Sequence, residues 1–329
     1  EMDAQTKELL EKALSGSDIT GKLVQEVVDK VIAHIFFSEN PLRQNIPVKK
    51  GYGTSYEFNR RTSSSTAGEA IADTGSFTPA EGSYTRVSLP YKIYGTSVEV
   101  TRFAQVAGRN YIDILQTELE AKINEFKEWE QRAIIWGNYT GGGADEYSGS
   151  NFADGLIKQI VNDGNGNYLL LGSDDTGDDL TLAKLDEAID KCYANPNMII
   201  CSRTGRRIIQ GLLQSQQRFV NTVEIRGGFR VMEYAGIPVL TSTAIFDTLV
   251  YDYDGAGSHK YVSALTGGST TCILILNLGD AFIAELESLT SKEVPVSSSQ
   301  YTRYEVWEYI TPVVRNPKNH CVIFGIKTS

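Results

Sequence analysis

From Leu23 to Phe36 apolar residues recur every three or four positions. Leu23, Val24, Val27, Val28, Val31, Ile32, Ile35 and Phe36 share one stripe, so residues 22–37 read as an amphipathic helix, with a shorter helix over 3–14 before it. Ser38, Asn40 and Pro41 stop the longer one, and Pro47 keeps the next segment extended. From Gly51 the period changes to two: Tyr52, Tyr56 and Phe58 lie on one face, Gly53, Ser55, Glu57 and Asn59 on the other, which predicts a strand. A second strand begins near Tyr84, where Val87, Leu89, Tyr91 and Ile93 alternate before the phase passes to Val98 and Val100. Pro90 marks it as an edge or a bulge. Between the two strands, from Arg61 to Gly82, the chain is rich in Ser, Thr, Gly, Ala and Glu and has no apolar period, the mark of a functional or disordered loop. A two-stranded ribbon does not stand alone in water, so this one is expected to lie against another subunit.

Asn110 is a suitable helix cap, with Asp113 three residues on. Leu115, Leu119, Ile123, Phe126 and Ile134 then keep one face apolar until Gly137. A helix over 111–136 would be a strut of roughly 39 Å at about 1.5 Å per residue. Its other face carries Glu118, Glu120, Lys122, Glu125, Lys127, Glu128 and Glu130, which read as a solvated face rather than as acid–base pairs. Turn-rich stretches at 141–143, 165–167 and 174–179 bracket the apolar residues Leu156, Ile157, Ile160 and Val161 and mark a change of lobe. The second lobe alternates: a helix over 181–193, a strand over 198–201, a helix over 204–213, then strands near 229–234, 238–241, 248–253 and 271–276. The last section, 301–327, is strand-like, with Val306, Trp307, Tyr309, Val313, Val314, Val322, Ile323 and Phe324, and is expected to return to the lobe of the strut. No repeat of fixed period is present, which weighs against solenoids and propellers.

A chain of 329 residues, 41% of them hydrophobic, has room for two compact lobes and extended appendages. No stretch approaches the roughly 18 apolar residues of a membrane helix, and the first 40 residues are charged throughout, unlike a secretory signal. Cys192, Cys201, Cys272 and Cys321 form no Cys-x-x-Cys pair and read as reduced, buried thiols. Only His34, His259 and His320 are present, and His320 and Cys321, as strand neighbours, point to opposite faces rather than to one metal. The net charge of -10 is unevenly placed. Residues 141–190 hold eleven acidic side chains against Lys158 and Lys184, while Arg203, Arg206, Arg207, Arg218, Arg226 and Arg230 are opposed by Glu224 alone. Opposite patches suit head-to-tail assembly, or are simply two solvated faces. An acidic chain argues against tight, nonspecific nucleic-acid binding.

Gly16, Gly21 and Lys22 nearly spell a P-loop, but Leu23 stands where a hydroxyl must hold magnesium, and a helix precedes where a strand is needed. Asp252 and Asp254, and the cluster Asp174, Asp175, Asp178 and Asp179, offer oxygen donors without the twelve-residue calcium loop, and read as acidic turns. Signatures for nucleophilic, zinc and dinucleotide chemistry are missing. No catalytic, cofactor-binding or metal residue is assigned, and the weight moves to a structural role.

Several stretches, in this order, resemble the tailed-bacteriophage major capsid family with the Hong Kong 97-type fold. Residues 38–43 (SENPLR) followed by Ile46, Pro47 and Val48 are similar to the junction of its N-terminal arm and its ribbon, the E-loop. Residues 68–77, 87–95 (VSLPYKIYG) and 98–101 (VEVT) resemble the E-loop tip and descending strand; 134–138 (IIWGN) and 154–156 (DGL), the end of the spine helix; 234–239 (YAGIPV) and 281–284 (AFIA), the axial domain and the strand leading out of it. The resemblance implies an α+β fold with an N-terminal arm (1–48), an E-loop β-hairpin and flanking strands (49–102), a peripheral domain (103–180 and 286–329) with spine helix 111–136, and an axial α/β domain (181–285). It further implies a homo-oligomeric lattice of hexamers and pentamers, an icosahedral virion shell assembled in the host cytoplasm. That shell would enclose double-stranded DNA without sequence-specific binding, with portal, scaffold and decoration proteins as further partners and no membrane. Candidate intersubunit contacts are Arg60, Arg61, Glu69, Glu81, Arg86, Arg203, Arg206 and Arg207. No Lys lies between Lys50 and Lys92, so the Lys–Asn cross-link that some members form through the loop is not expected. The rival readings are an encapsulin shell around protein cargo and an α/β enzyme with a pocket at 174–179 or 203–230.

Overall fold

The computed structural model describes residues 42–62, 68–78, 81–108, 113–138, 147–161, 167–172, 176–215, 222–224, 230–251, 262–295 and 300–328. The expected helices over 3–14 and 22–37, the near P-loop, and Asp174, Asp175, Asp252, Asp254, Arg218 and Arg226 lie outside them. The described helices are α1 (Leu42–Asn45), α2 (Arg102–Gly108), α3 (Ile114–Trp136), α4 (Leu156–Val161), α5 (Leu182–Asp190) and α6 (Arg203–Ser215). The strands are β1 (Val48–Lys50), β2 (Ser55–Arg61), β3 (Tyr84–Pro90), β4 (Lys92–Thr101), β5 (Tyr168–Leu170), β6 (Met198–Cys201), β7 (Thr222–Glu224) and β8 (Arg230–Tyr234). They continue with β9 (Ile237–Thr241), β10 (Val250–Tyr251), β11 (Val262–Ala264), β12 (Thr270–Leu276), β13 (Ala281–Val294), β14 (Tyr301–Val314) and β15 (Cys321–Lys327).

The alternation after residue 51 becomes an antiparallel ribbon, β2 with β3, in register from Ser55 opposite Pro90 to Arg61 opposite Tyr84. Pro90 has no N–H for a ladder, and the chain changes sheets there: the next residue, Tyr91, donates its N–H to Thr54 O at 3.2 Å. From Lys92 the chain pairs instead with β14. The side-chain phase flips at this handover, so Ile93, expected to share a face with Leu89, is 69% exposed, while Tyr94, Val98 and Val100 are buried. A four-stranded sheet of order β1-β13-β14-β4 results.

The strut α3 starts later than its sequence suggested. Asp113, not Asn110, caps it, accepting the Gln116 N–H at 3.2 Å. Its 23 residues span about 35 Å at about 1.5 Å each. It ends at Gly137, where the backbone meets a second chain segment so closely that a Cβ would lie 2.3 Å from Ala153 O. The first half of the helix is amphipathic, but its last turns are buried all round, Glu130 and Gln131 included. Glu130 therefore does not belong to the solvated face on which spacing alone put it. Trp136 donates Nε1 to Ala244 O at 2.7 Å and ties the strut to the loop after β9.

The seven-stranded sheet has the order β5-β15-β12-β6-β9-β8-β7. Its central strands, such as β12 (TTCILIL) and β6 (MIIC), are buried on both faces, which explains their unbroken apolar runs. On one face Leu185, Ile209 and Leu213 of α5 and α6 pack on Ile199, Ile273 and Ile323. On the other, Ile134, Leu156 and Ile160 of α3 and α4 pack on Ile200, Leu274 and Val322. Each fully buried aliphatic side chain contributes about 1.5–3 kcal/mol, so this three-layer stack is the energetic centre of the fold. Residues 301–314 join the sheet beside the strut, while β15 lies in the seven-stranded sheet between β5 and β12, where Val322 and Phe324 pack in one cluster with Ile134 and Trp136 of the strut.

Candidate assembly surfaces

At its foot the ribbon covers its apolar side with its own chain. Tyr56, Phe58, Val87, Leu89 and Tyr91 pack on Phe282, Ala284 and Val313, and Tyr56 meets the Phe282 ring edge-on at 5.5 Å. Arg60 staples this contact: Nε donates to Arg315 O at 2.9 Å and Nη2 to Val314 O at 3.2 Å, while Arg315 Nη2 donates to Tyr56 Oη at 3.0 Å. The expectation that the ribbon rests on another subunit therefore fails for its lower half. Its upper part is different. Residues 68–78 are all exposed, Phe77 at 69%, and the tip is held by Glu69, whose carboxylate accepts the Thr78 N–H at 2.8 Å and hydroxyl at 3.1 Å.

The structure thus separates the expected contact residues into classes. Arg60 and Glu69 brace the ribbon from within. Arg86 is exposed and paired with Glu57 across the ribbon at 2.7 Å. Glu81 is exposed near its upper end, and Arg61 is exposed beside Arg60 at the end of β2. Arg203, Arg206 and Arg207 line the outward face of α6, whose inward face is Gly205, Ile209 and Leu213.

Sequence reasoning missed a basic cleft at the ribbon foot, of about 600 Å³, lined by Phe58, Arg60, Arg61, Tyr193, Arg315 and Lys318. Among the described residues no carboxylate lines it. The 3-10 turn Pro317–Asn319, capped by Asn316, fixes Lys318, and the Tyr193 N–H donates to Lys318 O at 3.0 Å. Lys318 Nζ stands 5.4 Å from the centre of the Tyr193 ring, itself 76% exposed. Arg60 and Arg61 lie more than 250 residues before Arg315 and Lys318, so no local pattern could have grouped the two pairs.

A second missed feature is a buried charge knot. Arg43, at the root of the described chain, reaches Glu130 of the strut at 2.9 Å, Glu308 of β14 at 3.5 Å and Glu285 of β13 at 3.6 Å. The Glu130 and Glu308 side chains are 4% and 1% exposed and within hydrogen-bonding reach of each other. Burial and the neighbouring Glu130 charge push the Glu308 carboxyl up to about 8, and burial also raises Glu130 despite Arg43. One guanidinium facing three carboxylates cannot neutralise them all, so the Glu130–Glu308 pair retains a proton at neutral pH. Nothing in periodicity distinguishes Glu130 from its exposed helix neighbours.

Among the described residues, no three His, Cys, Asp or Glu side chains group as metal ligands, and no helix is long and apolar enough to cross a membrane. Cys201 and Cys321 are buried thiols pushed up to about 12, which makes them poor nucleophiles. His320 is pushed down to about 4 by burial, its Nδ1 accepting the Asn277 N–H at 3.1 Å.

A model of the SU10 major capsid protein family matches residues 13–327. No curated protein sequence matches the chain. Among solved structures, the SrpI encapsulin of Synechococcus elongatus PCC 7942 is similar with a TM-score of 0.68 at 13% identity, over 100% of this chain and 97% of that one. The capsid of the empty GTA particle gives 0.67 at 14% identity, over 93% and 96%. The capsid of Myoviridae Phage XM1 gives 0.58 at 13% identity, over 93% and 100%.

Proposed function

Because the chain belongs to the SU10 major capsid protein family and has the Hong Kong 97-type capsid fold, it is a tailed-phage shell subunit, and we propose that its copies close into an icosahedral lattice of hexamers and pentamers around double-stranded DNA. The observation that carries this reading is the family match across nearly the whole chain. The exposed ribbon tip with Phe77 and the outward arginines of α6 support it as surfaces that a neighbour would cover. In this reading the lobe of 181–285 surrounds the capsomer axes, and the lobe of the strut forms the periphery. Arg61, Glu81, Arg86, Arg203, Arg206 and Arg207 meet neighbouring subunits. The shell is held without covalent loop cross-links, assembles in the host cytoplasm, and is completed by portal, scaffold and decoration proteins. The subunit performs no catalysis. Its acidic charge of -10 keeps the inner wall from gripping the genome.

The test is electron microscopy of purified particles together with their contents. Closed shells with nuclease-protected DNA in the virion are expected; a chain that stays monomeric at high concentration refutes the reading. A second reading, a shell around protein cargo, is favoured by the likeness to SrpI, and protein without nucleic acid inside the particles would establish it. Deleting residues 62–82 is expected to lower particle yield and heat resistance.

A further inference from the structure

We propose that Cys192 and Cys321 are a redox pair that closes into a disulfide when the protein meets a two-electron oxidant such as hydrogen peroxide, bracing the lobe of the seven-stranded sheet. All four thiols of the chain are free in the structure. Cys321 opens β15 opposite Ile275, and its side chain joins the cluster under α5 and α6; Cys192, two residues past the end of α5, packs on that same cluster. One asparagine fastens the two backbones together. Asn167 donates Nδ2 to Lys191 O at 2.8 Å and to Lys318 O at 2.7 Å, and its own carbonyl accepts the Val322 N–H at 3.1 Å. The Tyr193 N–H donates to Lys318 O as well, at 3.0 Å. Both chain neighbours of Cys192 are therefore tied to the turn and the strand that present Cys321. The two sulfurs also sense each other: burial raises the Cys321 thiol most, and charge on Cys192 raises it next.

The other two thiols supply the contrast. Cys201 and Cys272 lie on the adjacent strands β6 and β12, but Cys201 belongs to the cluster under α5 and α6 and Cys272 to the cluster under the strut. The sheet itself stands between them, so no bond can join them. Cys192 is half-buried while the other three are buried, so an oxidant reaches it first. Its sulfur takes one oxygen from peroxide as the O–O bond breaks, giving a sulfenic acid and one water. Cys321 then attacks that sulfur: the S–S bond forms, the S–O bond breaks, and the hydroxyl leaves with the Cys321 proton as a second water. Two thiols and one peroxide become one disulfide and two waters. Cys321 is a poor nucleophile, pushed up to about 12, but its place beside the sulfenic sulfur turns a bimolecular encounter into an internal one. The bond closes the chain between 192 and 321 into a loop and so restricts the unfolded state. What it serves rests on the shell reading: the thiols stay reduced in the host cytoplasm, and the brace forms once particles leave it.

To test this, the full chain is treated with hydrogen peroxide, unfolded in an alkylating reagent, and digested without reductant for mass spectrometry. One linked species joining the Cys192 and Cys321 peptides is expected, with Cys201 and Cys272 alkylated. Melting should rise by about 5 °C, and dithiothreitol should reverse both changes. Cys192→Ser, at a half-buried position, should melt like the reduced wild type and show neither change. Four alkylated thiols after prolonged oxidation refute the pairing. So does a Cys192 that ends as a sulfinic acid, or that links separate chains, while Cys321 stays alkylated, and so does a bond from Cys321 to Cys201 or Cys272. A Cys192–Cys321 link with no rise in melting temperature refutes the brace. Particles assembled under reductant and then oxidised should withstand about 5 °C more heating. If the chain forms no particles, the shell reading fails by itself, since the peptide map decides the pairing without them.

Discussion

Replacing Glu308 by Gln should flatten the pH dependence of this protein's stability. The carboxyl of Glu308, 1% exposed, is pushed up to about 8 by burial and by the charge of Glu130. In the unfolded chain the same group titrates near its ordinary value of about 4.3. Between these limits the folded state keeps a proton that the unfolded state gives up. The stability contributed by the protonated pair is complete below about pH 4.3 and is lost as pH rises towards 8, at about 1.4 kcal/mol per unit. From pH 6 to pH 8 the wild-type fold should therefore lose about 2 kcal/mol through this group alone. With about 2.1 cal/mol/K of unfolding entropy per residue, 329 residues convert that into about 3 °C of melting temperature. Gln has nearly the same shape, stays neutral, and donates its amide to Glu130, which then ionises beside Arg43 at 2.9 Å. The assay is calorimetric melting of wild type and Glu308→Gln in one assembly state from pH 5 to 9. The curves should lie closest at pH 5 and diverge above it, with the variant higher at pH 8. Parallel curves would show that no shared proton is held in the knot.

Arg43→Met removes the cation from three carboxylates and should destabilise the fold by about 3–5 kcal/mol, measured by urea unfolding at pH 7. Gly137→Ala places a Cβ against the fixed backbone oxygens of Ala153 and Ala133 and should cost more than about 2 kcal/mol, whereas Gly211→Ala, on α6 with open space around it, should stabilise by about 0.5–1 kcal/mol. Trp136→Ala empties a buried site and leaves Ala244 O without its indole donor, a loss of about 3–5 kcal/mol that limited proteolysis would register. Arg206→Glu with Arg207→Glu changes exposed side chains, so melting should stay within about 0.5 kcal/mol of wild type while shell yield falls.

Local periodicity carried the regular parts of the fold. The strand expected over 198–201 is β6 itself, and the strut stops at Gly137 where its apolar stripe ends. These features depend on neighbours a few residues away. The short helix α2 went unread because it buries no stripe; Phe103 and Val106 are exposed. The placement of β15 was illegible for another reason: an apolar strand reads alike in either sheet, and only three-dimensional packing chooses. The sites were the least legible. Arg61 and Lys318 line one cleft from opposite ends of the sequence, and Glu130 differs from Glu128 only in what folds over it. Acidic spacing identified a helix surface correctly for Lys122 and Glu125, 2.6 Å apart, and failed where the surface became interior.

The handover at Pro90 has a mechanical meaning. Strand β3 runs on into β4 with a single residue between them, and all ten residues of β4 pair with β14. A tug on the far end of the hairpin is therefore delivered lengthwise along that ladder, loading its rungs together in shear instead of opening them one at a time. Through the Tyr94 ring, set edge-on against Trp129 at 5.3 Å, the same pull reaches the long helix. Pressure from within a closed particle would thus be spread over an entire sheet rather than concentrated at one clasp.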